Sequence, residues 1–86
     1  MGLISRGEQL GMIRVRLKQM LDEKAFKEGR RITLAEVSEQ TGISTATLTR
    51  VANRPGYNTN TDTINALCRY LDCEPGELLQ YVADRD

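Results

Sequence analysis

Between Gly42 and Asn60 the chain carries no carboxylate at all. Its charged side chains there are Arg50 and Arg54, set among the hydroxyls of Ser44, Thr45, Thr47 and Thr49 and the amides of Asn53, Asn58 and Asn60. These groups donate and accept hydrogen bonds and present cations, which is the chemistry of recognition rather than of bond making. Elsewhere the chemistry is sparse. The 86 residues include no histidine, so no Ser-His or Cys-His nucleophile pair can form and the commonest metal ligand is missing. Cys68 and Cys73 are too few for a four-thiolate metal site, and their four-residue separation lacks the close spacing such sites use. No acid, base or nucleophile set can be assembled, so an enzyme is the least expected class, with no metal and no cofactor.

Positioning that polar stretch requires helices, and their signals are local. Thr33-x-x-Glu36 has the form of a capping box, in which the threonine hydroxyl takes one free amide and the glutamate reaches back to another. A short helix follows from Leu34 to Thr41, with Leu34, Val37 and Ser38 facing inward, and Gly42 stops it at a sharp turn. Ser44 is a good N-cap for a next helix reaching about Asn53, with Leu48, Val51 and Ala52 on its apolar side. Two short helices joined by so tight a turn have the spacing of a helix-turn-helix, here about residues 33–53. Ser38, four before the glycine, is small enough for close helix approach, and Leu48 and Val51 seal the second helix onto a core.

The flanks extend the helical pattern. Residues 1–11 read as a flexible N-terminal arm, and residues 12–86 as one domain, too short to divide further. Ile13, Leu17, Met20 and Leu21 recur with helical period and predict a first helix from about Met12 to Lys27, with Arg14, Arg16 and Lys18 off the stripe. Arg54-Pro55-Gly56-Tyr57-Asn58-Thr59 reads as a loop. Asn60 or Thr61 then caps a fourth helix with the stripe Ile64, Leu67, Cys68 and Leu71, which makes Cys68 a buried free thiol. Pro75 opens a last helix with Leu78, Leu79 and Val82 inward, and Glu74 and Glu77 suit its dipole. The expectation is an all-α, compact five-helix bundle without strands. No apolar run spans a membrane and no secretory signal is evident, so a cytoplasmic protein with free thiols and no membrane partner is expected.

The segment Val37-Ser38, Thr41-Gly42-Ile43-Ser44, Leu48 and Val51-Ala52-Asn53 resembles the Cro/cI phage-repressor class of helix-turn-helix regulators, the XRE family. The tail from Leu67 through Leu79, with Tyr70-Leu71-Asp72-Cys73-Glu74-Pro75-Gly76-Glu77, is similar to a compact branch of the same family. The resemblance covers about residues 12–82. It implies a lambda-repressor-like domain whose third helix enters the major groove of double-stranded DNA. By position it implies that Ser44, Thr45, Ala46, Thr47 and Arg50 face base edges, with Arg50 reading a guanine. It implies phosphate contacts at Thr33, Thr49, Asn53, Arg54, Tyr57 and Asn58, joined by Arg30 and Arg31 from a lengthened link between the first two helices. Besides the lengthened link around Lys27–Arg31, two features depart from the family pattern. Leu34 stands where many members carry a phosphate-binding glutamine, and Ala-Asn-Arg-Pro replaces the commoner Glu-Asn-Gly.

The function so implied is a sequence-specific DNA-binding transcriptional regulator working as a homodimer, with no small-molecule ligand evident. Its rival is a protein-interaction module, antitoxin-like or adaptor, on the same fold. Net charge does not separate them, because 12 basic and 12 acidic side chains cancel. Their distribution is polarised: residues 1–60 hold 10 basic and 6 acidic side chains, and residues 61–86 hold 2 and 6. The positive part contains the helix expected to read DNA.

Overall fold

The computed structural model describes residues 11–83. Five helices and a two-stranded sheet follow in the order β1 (Met12–Val15), α1 (Leu17–Glu28), α2 (Leu34–Thr41), α3 (Thr45–Asn53), α4 (Thr61–Leu71), α5 (Pro75–Leu78) and β2 (Leu79–Val82). The five-helix reading therefore holds, with a small sheet added. The expected arm lies almost wholly outside the described residues.

Three side-chain caps stand where the sequence places them. Thr33 Oγ1 accepts from Glu36 N at 3.2 Å, Ser44 Oγ from Thr47 N at 3.2 Å, and Asn60 Oδ1 from Thr63 N at 2.9 Å. Each satisfies one of the amides that a helix start leaves unbonded, worth about 1 kcal/mol apiece. The apolar stripes then converge. Leu17, Leu21, Val37, Leu48, Val51, Leu67 and Leu78 are buried, one or two from every helix. Leu34, Ile43, Ala52, Ile64, Cys68, Tyr70 and Leu71 pack around them, so the thiol of Cys68 is half-buried rather than enclosed. Burial pushes the neighbouring Cys73 thiol up to about 11, with the Cys68 thiol beside it adding to the rise.

The two ends of the chain correct the sequence reading. Met12–Val15 is a strand, and α1 begins only at Leu17, so Ile13 does not belong to the helix stripe. β1 runs antiparallel to β2 with Met12 opposite Val82, Ile13 opposite Tyr81, Arg14 opposite Gln80 and Val15 opposite Leu79. The last helix is a single turn, and Leu79–Val82 leaves it to become β2, which exposes Val82. Alternating Ile13 and Val15 suit a strand, and Gly11 permits the closure, because a Cβ there would strike the Val82 carbonyl oxygen. The junction is pinned where Arg16 N donates to Leu78 O at 2.7 Å and Arg16 Nη1 to Glu77 O at 2.9 Å. Arg16 is thus a tie between chain ends and not a solvated helix residue.

The expected capping box at α2 is only half made. Glu36 does not reach back to Thr33; its carboxylate receives Arg30 Nη1 at 2.9 Å and Arg30 Nη2 at 2.7 Å. Arg30 Nε bonds Glu28 at 2.9 Å, and Glu28 pairs with Lys24 at 2.8 Å, so four charges run from α1 across the link to α2. A two-pronged guanidinium–carboxylate pair outcompetes a single reach-back bond. The Arg30 guanidinium holds the Glu36 carboxyl below the usual carboxylate range, and Lys24, followed by Arg30, does the same for Glu28. A carboxyl whose folded pKa is depressed stabilises the fold above its unfolded value, and that contribution is lost as pH falls through the folded pKa. Urea unfolding midpoints compared at about pH 6 and about pH 3 are expected to fall for the parent chain and to fall less for Glu36→Gln.

Candidate nucleic-acid interface

The helix-turn-helix is built from local bonds that leave one helix face unclaimed. α2 ends at Gly42, whose φ of 80° is left-handed and whose N–H donates to Ser38 O at 2.8 Å. Any side chain here would be strained, although no neighbour lies within reach of a Cβ. Thr41 Oγ1 donates to Val37 O at 2.7 Å and accepts from Ile43 N at 3.2 Å, which closes the turn from within. Ser44 then starts α3. Leu48, fully buried, and Val51, 3 % exposed, seat α3 on the core.

Burial of those two residues decides what faces outward. Thr45, Ala46, Thr49, Arg50 and Asn53 are exposed and follow one another at i, i+1, i+4, i+5 and i+8, a single stripe opposite the seat. Among the described residues the Arg50 guanidinium has no hydrogen-bond or ion-pair partner, so it is available to a ligand. Ser44 is exposed at the helix start, where its hydroxyl donates to Thr47 Oγ1 at 3.0 Å. Thr47 is half-buried and occupied by that cap. Of the five residues assigned to base edges, Ser44, Thr45, Ala46 and Arg50 share the open surface, while Thr47 holds the helix end together. Thr49, assigned to phosphates, stands in the middle of the outward stripe.

The remaining assignments divide by what each side chain touches. Arg31, Thr33, Arg54 and Asn58 are exposed, and Tyr57 is half-buried against the core. Asn53 Nδ2 donates to Thr49 O at 3.0 Å, which aims its amide along the helix end. Arg30 is engaged by Glu28 and Glu36, whereas Arg31 has no side-chain partner among the described residues. Leu34 packs against the core, which gives this departure from the family pattern a structural purpose. Arg14 and Lys18 lie off the apolar stripe of the first helix in the sequence reading and are not among the residues assigned to DNA. They line a shallow groove with Val15, Asp22, Asn53 and Pro55, beside the end of α3. Their four-residue spacing was visible, but only the sheet and the α1–α3 packing bring them to Asn53.

Comparison with known proteins follows the same lines. The model of the Cro/C1-type HTH DNA-binding domain matches residues 16–84. A relative from Bacillus subtilis (strain 168), the HTH-type transcriptional regulator YozG, is 35 % identical over 57 residues, covering 66 % of this chain and 68 % of that protein. The crystal structure of the transcriptional regulator VanUg, form II, superposes with a TM-score of 0.64 over 98 % of this chain and 99 % of its own, at 17 % identity. At that identity the likeness is one of fold.

Proposed function

Because the chain belongs to the Cro/C1-type helix-turn-helix DNA-binding family and is a DNA-binding transcriptional regulator, we propose that α3 reads base edges in the major groove of a specific operator. The observation that carries this reading is the acid-free outward stripe of α3, on which Arg50 has no partner among the described residues. A guanidinium in the major groove can meet O6 and N7 of one guanine with two parallel bonds. Ser44, Thr45 and Ala46 touch the neighbouring bases. Arg31, Thr33, Asn53, Arg54, Tyr57 and Asn58 hold phosphates on either side and set the register of the helix in the groove. Arg30 serves instead as a brace, since withdrawing it for a phosphate would leave Glu36 and Glu28 without their partner.

One short helix spans too few base pairs to specify an operator, so the working form is a homodimer on a two-fold site, acting in the cytoplasm. The surface that meets a second copy is one face of the sheet, where Ile13 and Tyr81 stand opposite one another and are 51 % and 61 % exposed. That cost in exposed apolar area is relieved when two copies pair across the two-fold axis that such an operator demands.

Selection from random duplex DNA at two salt concentrations tests the reading. The expected product is an inverted repeat with half-sites about 10 base pairs apart. Affinity for it should fall linearly on logarithmic axes as salt rises, by about 0.9 in slope for each phosphate neutralised. No enriched motif would reject groove reading and favour a protein-interaction role, and a single unrepeated half-site would reject the dimer.

A further inference from the structure

Hydroxyl bonding along α3 separates residues that composition treats alike. Ser44 and Thr47 satisfy each other at the helix start. Thr49 Oγ1 donates to Thr45 O at 2.9 Å, one turn back along its own helix. A threonine in that arrangement has given its only proton to the backbone, so it has no donor left for a base, and its methyl is the apolar group it offers. Thr45 alone of these four has a hydroxyl with no partner among the described residues.

Thr49 is also the most central residue of the stripe. Ala46 lies one turn before it and Arg50 follows it, all three exposed. Side chains three and four apart on a helix are neighbours, so Ala46 adjoins both Thr49 and Arg50. The stripe therefore presents two methyl groups beside a guanidinium that has no partner among the described residues. In the major groove the one apolar group on a base edge is the C5 methyl of thymine. We propose that Thr49 is a specificity-determining residue which, together with Ala46, reads the C5 methyl of a thymine adjacent to the guanine met by Arg50. It acts through its own methyl and not through its hydroxyl. The assignment rests on α3 being the groove-reading helix, and it moves Thr49 from the phosphates to the bases.

Deoxyuridine tests this directly, because it differs from thymidine only by the missing methyl and requires no change in the protein. Each thymine of the selected half-site is replaced singly, and affinity is measured for the parent chain, Thr49→Ser and Thr49→Val at one salt concentration. One position is expected where the parent binds the thymine site about fourfold more tightly than the deoxyuridine site, the value of one buried methyl. That ratio should shrink below about twofold in Thr49→Ser, which keeps the hydroxyl and loses the methyl, and persist in Thr49→Val, which does the reverse. The proposal is overturned if no thymine is sensitive, or if Thr49→Ser keeps the ratio while Thr49→Val abolishes it. A selected motif that depends on Arg50 but ignores every thymine methyl rejects this inference alone. Failure to select any motif rejects it together with groove reading.

Discussion

Arg50→Ala is expected to weaken binding to the selected operator by about 1–3 kcal/mol per half-site, roughly 5- to 150-fold, and to relax base preference at one guanine position. The magnitude follows from the two parallel bonds that a guanidinium makes to O6 and N7, neither of which a methyl group can replace. Folding should be almost untouched. Arg50 is exposed and has no side-chain partner among the described residues, and exposed substitutions of that kind usually stay within about 0.5 kcal/mol. Affinity for unrelated duplex DNA should fall only by the loss of one cation, with a slightly shallower salt dependence. Arg50→Lys is the informative companion, because it restores the charge without the planar fork. Titration of the selected and a scrambled duplex with all three chains measures the effect. Equal losses on both duplexes would assign Arg50 to a phosphate.

A second large effect is expected at the opposite side of the same helix. Leu48→Ala should cost about 2–5 kcal/mol of folding stability, because Leu48 is fully buried where α3 meets the core and the surrounding side chains can close the void only in part. A domain of this size has a total stability near the lower end of 5–15 kcal/mol, so the variant stands close to unfolding. For 60–100 residues each kcal/mol moves Tm by about 4–8 °C, which places the expected drop at roughly 8–40 °C. Thermal unfolding followed by circular dichroism reads it. Leu48→Met, which keeps the volume, should cost less than about 1.5 kcal/mol. The two predictions separate the two faces of α3: Arg50→Ala loses DNA and keeps Tm, while Leu48→Ala loses Tm first and DNA only through the unfolded fraction. A Leu48→Ala chain with an unchanged Tm would mean that α3 is not seated as described.

Much of this arrangement was legible because its causes are local. Thr33, Ser44 and Asn60 cap helices within three residues of themselves, and Gly42 closes a turn on Ser38, four residues back. The inward spacing of Leu48 and Val51 followed from helical period alone, and with it the outward side of α3. Other readings went astray where two local patterns were equally good. Ile13 and Leu17 are four apart and fit a helix stripe, yet Ile13 and Val15 also alternate as in a strand. Only the arrival of Leu79–Val82 beside them, from the far end of the chain, settles the choice. Glu36 likewise had two partners within reach, and a bidentate bond to Arg30 prevailed over the capping bond.

The acid-free stretch from Gly42 to Asn60 shows where the division falls. Charge, caps and period are properties of neighbouring residues, so the order of residues alone makes this stretch polar, cationic and helical around Ser44–Asn53. The same order also sets which side of that helix is apolar. What depended on packing was which distant groups meet: Met12–Val15 pairs with Leu79–Val82, and Arg30 is claimed by Glu36 while Arg50 has no partner among the described residues. Packing also brings Arg14 and Lys18 beside Asn53. The reason is physical: caps and periods act over three or four residues, whereas a side chain's partner depends on every element that folding brings within about 3 Å.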